Sequence, residues 1–277
     1  MDMSEEENES NKGGGNNINA SIDAVTGLVK AVPIYEDAVQ PVAKQIGKSL
    51  EIVGKAVNAA LMPIQGLVWG AETIQAFLKD TLSQKLKDVP PEDIVSPKPN
   101  IAGPAIESLR YTGHEDSLKD MYANLLAAAM NKNTADQAHP AFVEIIKQLT
   151  PDEAKLIAFF LSRRKFPIVT VRARKESIGT MDMAVNVSLF GEQAGLECPA
   201  HCPVYIDNLC RLGLVEIPEG LTYSSDETYD ELLNSPAVLE LKKNIEDMDH
   251  VSELKFEMVR TTSFGKQFGA ACVVNRS

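Results

Sequence analysis

The chain has little of what does chemistry. It carries four cysteines and four histidines in 277 residues. Cysteines this sparse, with no regular spacing, make no disulfide framework, so a reducing cytoplasm is the expected setting. None of His114, His139, His201 and His250 has a second histidine four residues away, which excludes the zinc-protease helix signature. No glycine loop is placed to cradle phosphate, because the GGG at 13–15 lies in a polar stretch without a flanking strand or helix. No serine stands between two glycines at the spacing of a nucleophile elbow. Basic residues are in deficit: 27 Lys and Arg against 39 Asp and Glu leave a net charge of -12. Nucleic acid and anionic lipid are polyanions that reward Lys and Arg, so broad affinity for either is not expected.

Long apolar runs are scarce as well. The longest is IVGKAVNAALMPIQGLVWGA, residues 52–71. Lys55, Asn58 and Gln65 dilute it, and Pro63 and Gly66 interrupt it. A membrane span needs about twenty predominantly apolar residues with every backbone group satisfied. The stretch therefore reads as the core of a helical bundle. Its small residues and the Met62–Pro63 break also suit a helix that leaves its bundle, with Trp69 fit for a membrane interface. Pro63, Gly66 and Trp69 are the candidate switch or membrane-contact residues.

What is present is architecture. The chain is 44% hydrophobic and 24% charged, enough to bury a core. Its first 20 residues are acidic and then Gly- and Asn-rich; they lack the basic start and apolar run of a signal peptide and read as a disordered tail. Residues 21–149 read as a helical domain. Ile34, Ala38, Val42 and Ile46 recur at helical spacing, and Leu50, Val53, Val57 and Leu61 continue it. QAFLKDTLSQKLKDV is an amphipathic helix. PPEDIVSPKPN, with four prolines in eleven residues, predicts a stiff, extended connector. A helical block then runs from Pro104 to Asn131, and AFVEIIKQL is a short helix.

Residues 150–277 change period. Thr150-Pro151-Asp152-Glu153 is a capping box with proline in the first helical position, opening DEAKLIAFFLSRR. The alternation in PIVTVRARK and MDMAVNVSLF predicts strands. A helix from Pro203 to Leu212, the strands LVEI and LKFEMVR, and a terminal helix in SFGKQFGAACV follow. The expected fold is mainly α: an N-terminal helical bundle, then an α+β winged-helix-like domain with a strand-rich insert.

Three groups of residues merit weighing for chemistry. The paired acids Glu115-Asp116 and Asp152-Glu153 fall at predicted helix starts, where capping and solvation account for them. Cys198, His201 and Cys202, in CPAHC, are the right ligand types for zinc, yet free cysteine is commonly just buried. RRKFPIVTVRARK holds six basic residues and no acid. Beside a winged helix, Arg163, Arg164, Lys165, Arg172, Arg174 and Lys175 could meet a nucleic-acid backbone. The plainer reading is a helix end leading into a charge-protected edge strand. The helix PVYIDNLCRLG, with one Arg and one Asp, is a poor recognition surface.

Several stretches together resemble a known family. PIYEDAVQPVAKQIGKSLEIVGKAVNAALMPIQGLVWG, ESLRYTGHEDSLKDMYANLLAAAM, HPAFVEIIKQLTPDEAKLI, YIDNLCRLGLVEI and TTSFGKQFGAACV are similar to bacterial proteins of the abortive infection alpha (Abi-alpha) family. The resemblance spans roughly residues 30–275. It implies a phage-defence setting in which infection leads to arrest or death of the host cell, and it carries over no catalytic residue. The expectation is a non-enzymatic defence protein without a cofactor. It would be cytoplasmic, touching the inner membrane only conditionally, and would act by protein interaction or conformational switching. Its partner would be another protein or a second copy of the chain, with a phage-derived trigger. A conditional membrane-active effector and a winged-helix nucleic-acid-binding regulator stand as alternatives.

Overall fold

A computed structural model describes residues 69–162, 165–177 and 179–274. The expected tail, the helices before Trp69, and Pro63, Gly66, Arg163 and Arg164 lie outside the described residues. Within them the chain is mostly helical, with a small antiparallel sheet in its C-terminal part.

Helix α1 (Ala71–Lys85) buries Ile74, Leu78 and Leu82, one stripe spaced four apart. Next come α2 (Pro99–Thr112), α3 (Asp116–Met130), α4 (Ala141–Lys147) and α5 (Pro151–Ser162). The centre is α3, where eleven of fifteen residues are buried, from Leu118 to Met130. A helix buried nearly all round must be enclosed by others. Here α1, α2, α4 and α5 enclose it, together with a π-helical turn at Gly269–Val273. Ala127, Ala128 and Ala129 are buried on it, and small side chains let these neighbours approach closely.

Two expectations need correction. The block expected from Pro104 begins at Pro99 and is two helices, parted at Gly113. Proline suits the first helical position, and Pro104 is carried inside α2 at the loss of one early backbone bond. The four-proline stretch is not a plain extended connector. Pro91–Asp93 forms a 3₁₀ turn, and Ile94 bridges Asn131 in antiparallel fashion. The Val95 N–H donates to the Met130 carbonyl at 2.8 Å, and the Lys132 N–H to that of Asp93 at 2.8 Å. These bonds fasten the stretch to the end of α3.

The capping box forms as its sequence implies. The Thr150 N–H donates to Glu153 Oε2 at 2.7 Å, and the Glu153 N–H donates to Thr150 Oγ1 at 3.2 Å. After α5 come strands β1 (Pro167–Lys175) and β2 (Gly179–Val187), then α6 (Phe190–Gln193) and α7 (Cys202–Arg211). The short strand β3 (Val215–Glu216) pairs with β5 (Arg260–Thr261). Between them lie α8 (Asp230–Leu233), α9 (Pro236–Asp247) and β4 (Val251–Met258); α10 (Ser263–Phe268) leads into the π turn. The larger sheet has the order β2-β1-β4, all antiparallel.

Two apolar clusters hold these elements. One runs from Ile74 in α1 to Cys272 in the π turn and takes in α2 to α7 without a break at residue 150. Phe159, Phe160, Phe166 and Phe190 bind α5, β1 and α6 in it, with Phe160 and Phe166 edge-on at 4.8 Å. The second packs Val169, Val171 and Ala173 of β1 against Tyr229, Leu232, Val238 and Ile245 of the insert.

Candidate functional site

The described basic residues of this stretch are engaged by the sheet and the segments around it. Because β1 is the central strand, not an edge, it has acids on both flanks. Arg172 Nε lies 2.8 Å from Asp182 Oδ1 on β2, and Arg174 Nε lies 2.7 Å from Glu253 Oε1 on β4. Lys175 Nζ is 3.3 Å from Asp249. Lys165 Nζ donates to Thr228 Oγ1 at 3.3 Å and sits 5.8 Å from the centre of the Tyr223 ring. Such partly exposed pairs add little stability, but the three carboxylates offset the charge of Arg172, Arg174 and Lys175 that a phosphate backbone would otherwise meet. On α7 the outward Val204 is 65% exposed. Asp207 accepts from Asn186 at 2.8 Å, and Arg211 donates to Gln148 Oε1 and Asn208 Oδ1.

The CPAHC residues separate. Cys198 is exposed, whereas Cys202 is buried at the start of α7 with Sγ 3.7 Å from Ser188 Oγ. His201 closes a 3₁₀ turn, its ring edge-on to Tyr205 at 6.0 Å. Burial pushes the Cys202 thiol up to about 11, and the Cys210 thiol likewise to about 11. Fully buried, Cys272 is raised well above the usual thiol range. Thiols raised in this way are poor nucleophiles at neutral pH. Among the described residues, no three His, Cys, Asp or Glu side chains are grouped to hold a metal ion.

The acids at the start of α5 are buried rather than solvated, the one correction to their reading. Asp152 Oδ1 and Oδ2 accept the Glu197 and Cys198 N–H groups, both at 2.9 Å, and Lys155 Nζ lies 3.2 Å away. Burial pushes this carboxyl up, but the two backbone donors and Lys155 outweigh it and hold it below the usual range. Glu153 Oε1 accepts from Asn208 Nδ2 at 2.6 Å. Together these acids fix the loop before α7 and α7 itself to α5. Sequence reasoning missed this clamp because its partners are 45 and 55 residues away.

Three surfaces remain. The first surrounds Trp69, where the described chain begins. Its N–H donates to the Arg110 carbonyl at 3.2 Å. Its indole meets Phe77 edge-on at 5.5 Å and has Lys119 Nζ 5.9 Å from the ring centre. The face of the indole lies on Gly113: a Cβ there would come within 2.2 Å of Trp69 Cδ2. The second is a cavity of about 180 Å³ between α1, α3 and the π turn, lined in part by Leu86, Asn124, Ala128, Thr134 and Ala271. Asn124 Nδ2 donates into the π turn, to the Cys272 carbonyl at 2.9 Å. The third is the outer edge of β2, where Met181, Met183 and Val185 are 54%, 41% and 47% exposed. The alternation MDMAVNV predicted this strand; that its apolar set faces water was not legible.

The described residues thus define a mostly helical protein with a small antiparallel sheet whose outer strand β2 exposes apolar side chains. The chain belongs to the abortive infection alpha family, whose model matches residues 70–272. Membership places it among proteins of abortive infection. No curated protein matches it in sequence. It is similar to a solved structure of an uncharacterized protein from the hydrocarbon-degrading marine bacterium Alcanivorax borkumensis SK2. The identity is 19% and the TM-score 0.34, over 52% of this chain and 96% of that one. A likeness that slight carries no argument. No helix among the described residues is long and apolar enough to cross a membrane.

Proposed function

We propose that this protein serves phage defence by protein contact rather than by catalysis, and that β2 is its contact edge. The observation that carries this is the exposure of Met181, Met183 and Val185 on an outer strand. Apolar side chains on a free strand edge invite pairing with another strand. Edges kept solvated commonly carry Lys, Pro, other charges or a bulge; β2 has no Lys or Pro, and it carries Asp182 and a bulge at Met183. In this reading α5, α6, α7, β3, β5 and α10 follow a winged-helix-like order, with the β1–β2 hairpin and the α8–β4 insert as additions to it. That order serves as a mount for the hairpin. The paired arginines of β1 support a role in protein contact over one on nucleic acid.

The test is phage challenge of a bacterial host expressing the protein, with survival of cells and phage recorded over a range of multiplicities. Met183→Lys should abolish protection while the purified protein keeps its helical circular dichroism and melting temperature. Full protection by a folded Met183→Lys protein would end the proposal.

A second reading, conformational switching, is favoured by Trp69. Its indole lies on Gly113, and in this reading loss of that contact accompanies a change of state that lets the protein meet a partner or a bilayer. Liposome leakage by the purified protein, with and without lysate of infected cells, separates this reading from the first. Absence of leakage in both states removes the membrane form of it.

A further inference from the structure

Building on the protein-contact reading, we infer that the partner at this edge is a second copy of the same chain, its β2 strand antiparallel to the first across a two-fold axis at Met183. Charge is the first argument. Two chains that each carry -12 repel, so self-association needs a locally neutral surface. Between Gly179 and Val187 the one charged residue is Asp182, and it is already paired with Arg172. At this edge two copies meet with little charge repulsion.

Register is the second argument. In an antiparallel pair centred on Met183, Met181 stands opposite the second copy's Val185, Met183 opposite itself, and Asp182 opposite Ala184. Met183 then meets its own copy across the axis, and no like charges face each other. Centring the pair on Asp182 would set two carboxylates face to face, so the pattern selects between registers.

The β1–β2 ladder is the third. Arg172 stands opposite Asp182 and Val171 opposite Ala184, which leaves Met183 with no residue facing it on β1. That bulge bends the strand and shortens the regular edge. Asn186 is buried, so the usable contact ends at Val185. Five opposed residues per copy fall short of the roughly 1,200 Å² of a standard stable interface. The dimer is therefore weak and depends on concentration.

Sedimentation velocity on the full-length protein, from about 1 to 200 µM, spans the range where so small an interface associates. A rise from monomer towards dimer is expected. Met183→Lys sets two ammonium groups together at the axis and should weaken association by about tenfold or more. In a Cys198→Ser background, which removes the exposed native thiol, Met183→Cys should cross-link to itself under mild oxidation. A wild-type protein that stays monomeric overturns the inference, as does a dimer that Met183→Lys leaves intact or Met183→Cys does not cross-link. If the wild type is monomeric and Met183→Lys still loses phage protection, the edge serves a different protein: the second copy is refuted and the contact reading survives. If it is monomeric and Met183→Lys protects fully, both fail.

Discussion

Replacing Gly113 with alanine tests the Trp69 contact, and the chain supplies its own reporter because Trp69 is its single tryptophan. The new methyl would stand 2.2 Å from Cδ2, 2.5 Å from Cε3 and 2.6 Å from Cε2 of the indole. The clash falls on three atoms of a rigid ring rather than on a flexible tip, so the indole must move off Gly113. It would give up the edge contact with Phe77, about 0.5–1.5 kcal/mol. The attraction of Lys119 for the ring is worth about 0.5–1 kcal/mol more. The backbone bond to Arg110, about 0.5–1.5 kcal/mol, weakens with it. Against this, Gly113 caps α2 with φ -63° and ψ -21°, an α conformation in which alanine gains about 0.5–1 kcal/mol over glycine. The balance is a loss of about 1–3 kcal/mol, or a melting temperature lower by roughly 2–10 °C for a domain of this size. The sharper readout is fluorescence: Trp69 emission should shift to the red and become more open to quenching by acrylamide. Unchanged emission and quenching in a folded Gly113→Ala protein would refute the packing. If the switching reading holds, the same variant should also change phage protection in either direction.

Other outcomes follow from the polar clamps and the thiols. Asp152→Asn should lower stability by about 1–2 kcal/mol, since it weakens two charge-assisted backbone bonds close to the surface. Because Asp152 is held below the usual carboxylate range, its contribution is complete above its unfolded pKa, about 4. It is lost as pH falls through the lower folded value. Melting curves from pH 7 to 2.5 should show that acid step in the wild type and a smaller one in the variant; identical profiles would dismiss the clamp. Asn124→Ala removes the donor to the Cys272 carbonyl and should cost about 1–3 kcal/mol in urea unfolding; a cost near zero would mean the π turn does not depend on it. Of the four thiols, Cys198 should react quickly with a disulfide reagent, the half-buried Cys210 more slowly, while Cys202 and Cys272 wait for unfolding. Four equal rates would contradict their burial. A double-mutant cycle on Arg172 and Asp182 should give a coupling below about 1 kcal/mol, since both are partly exposed.

Much of the secondary structure was legible because periodicity and capping are local. The Thr150–Glu153 box, the stripe of α1 and the alternation in β1 and β2 need only neighbours within a turn or a strand. The site was legible only in its residue types. RRKFPIVTVRARK reads as a basic patch until Asp182, Glu253 and Asp249 arrive from β2 and from the β4 side, 10 to 80 residues away. Whether a strand is central or at an edge is a property of the sheet, not of the strand. Asp152 and Glu153 were placed correctly at a helix start, but their burial comes from α7 and the loop before it packing over them. Gly113 gave no signal at all, since the indole that lies on it comes from 44 residues earlier in the chain.

The way the hairpin is mounted decides how cleanly its role can be tested. Its base belongs to the main core, through Ile168. Its middle is held by the second cluster, in which Tyr229 Oη donates to the Glu257 carbonyl at 2.9 Å and Tyr223 Oη accepts the Phe166 N–H at 2.7 Å. These bonds tie the insert to the sheet on the side of β4, away from β2. Met181, Met183 and Val185 belong to neither cluster. Each is about half exposed, so a charge placed there leaves both clusters in place and should shift stability by about 0.5 kcal/mol or less. Three apolar side chains lie outside both clusters on an edge that carries no lysine or proline. The proposed contact with another chain would account for their exposure, and a stable Met183→Lys protein without defence would support that proposal.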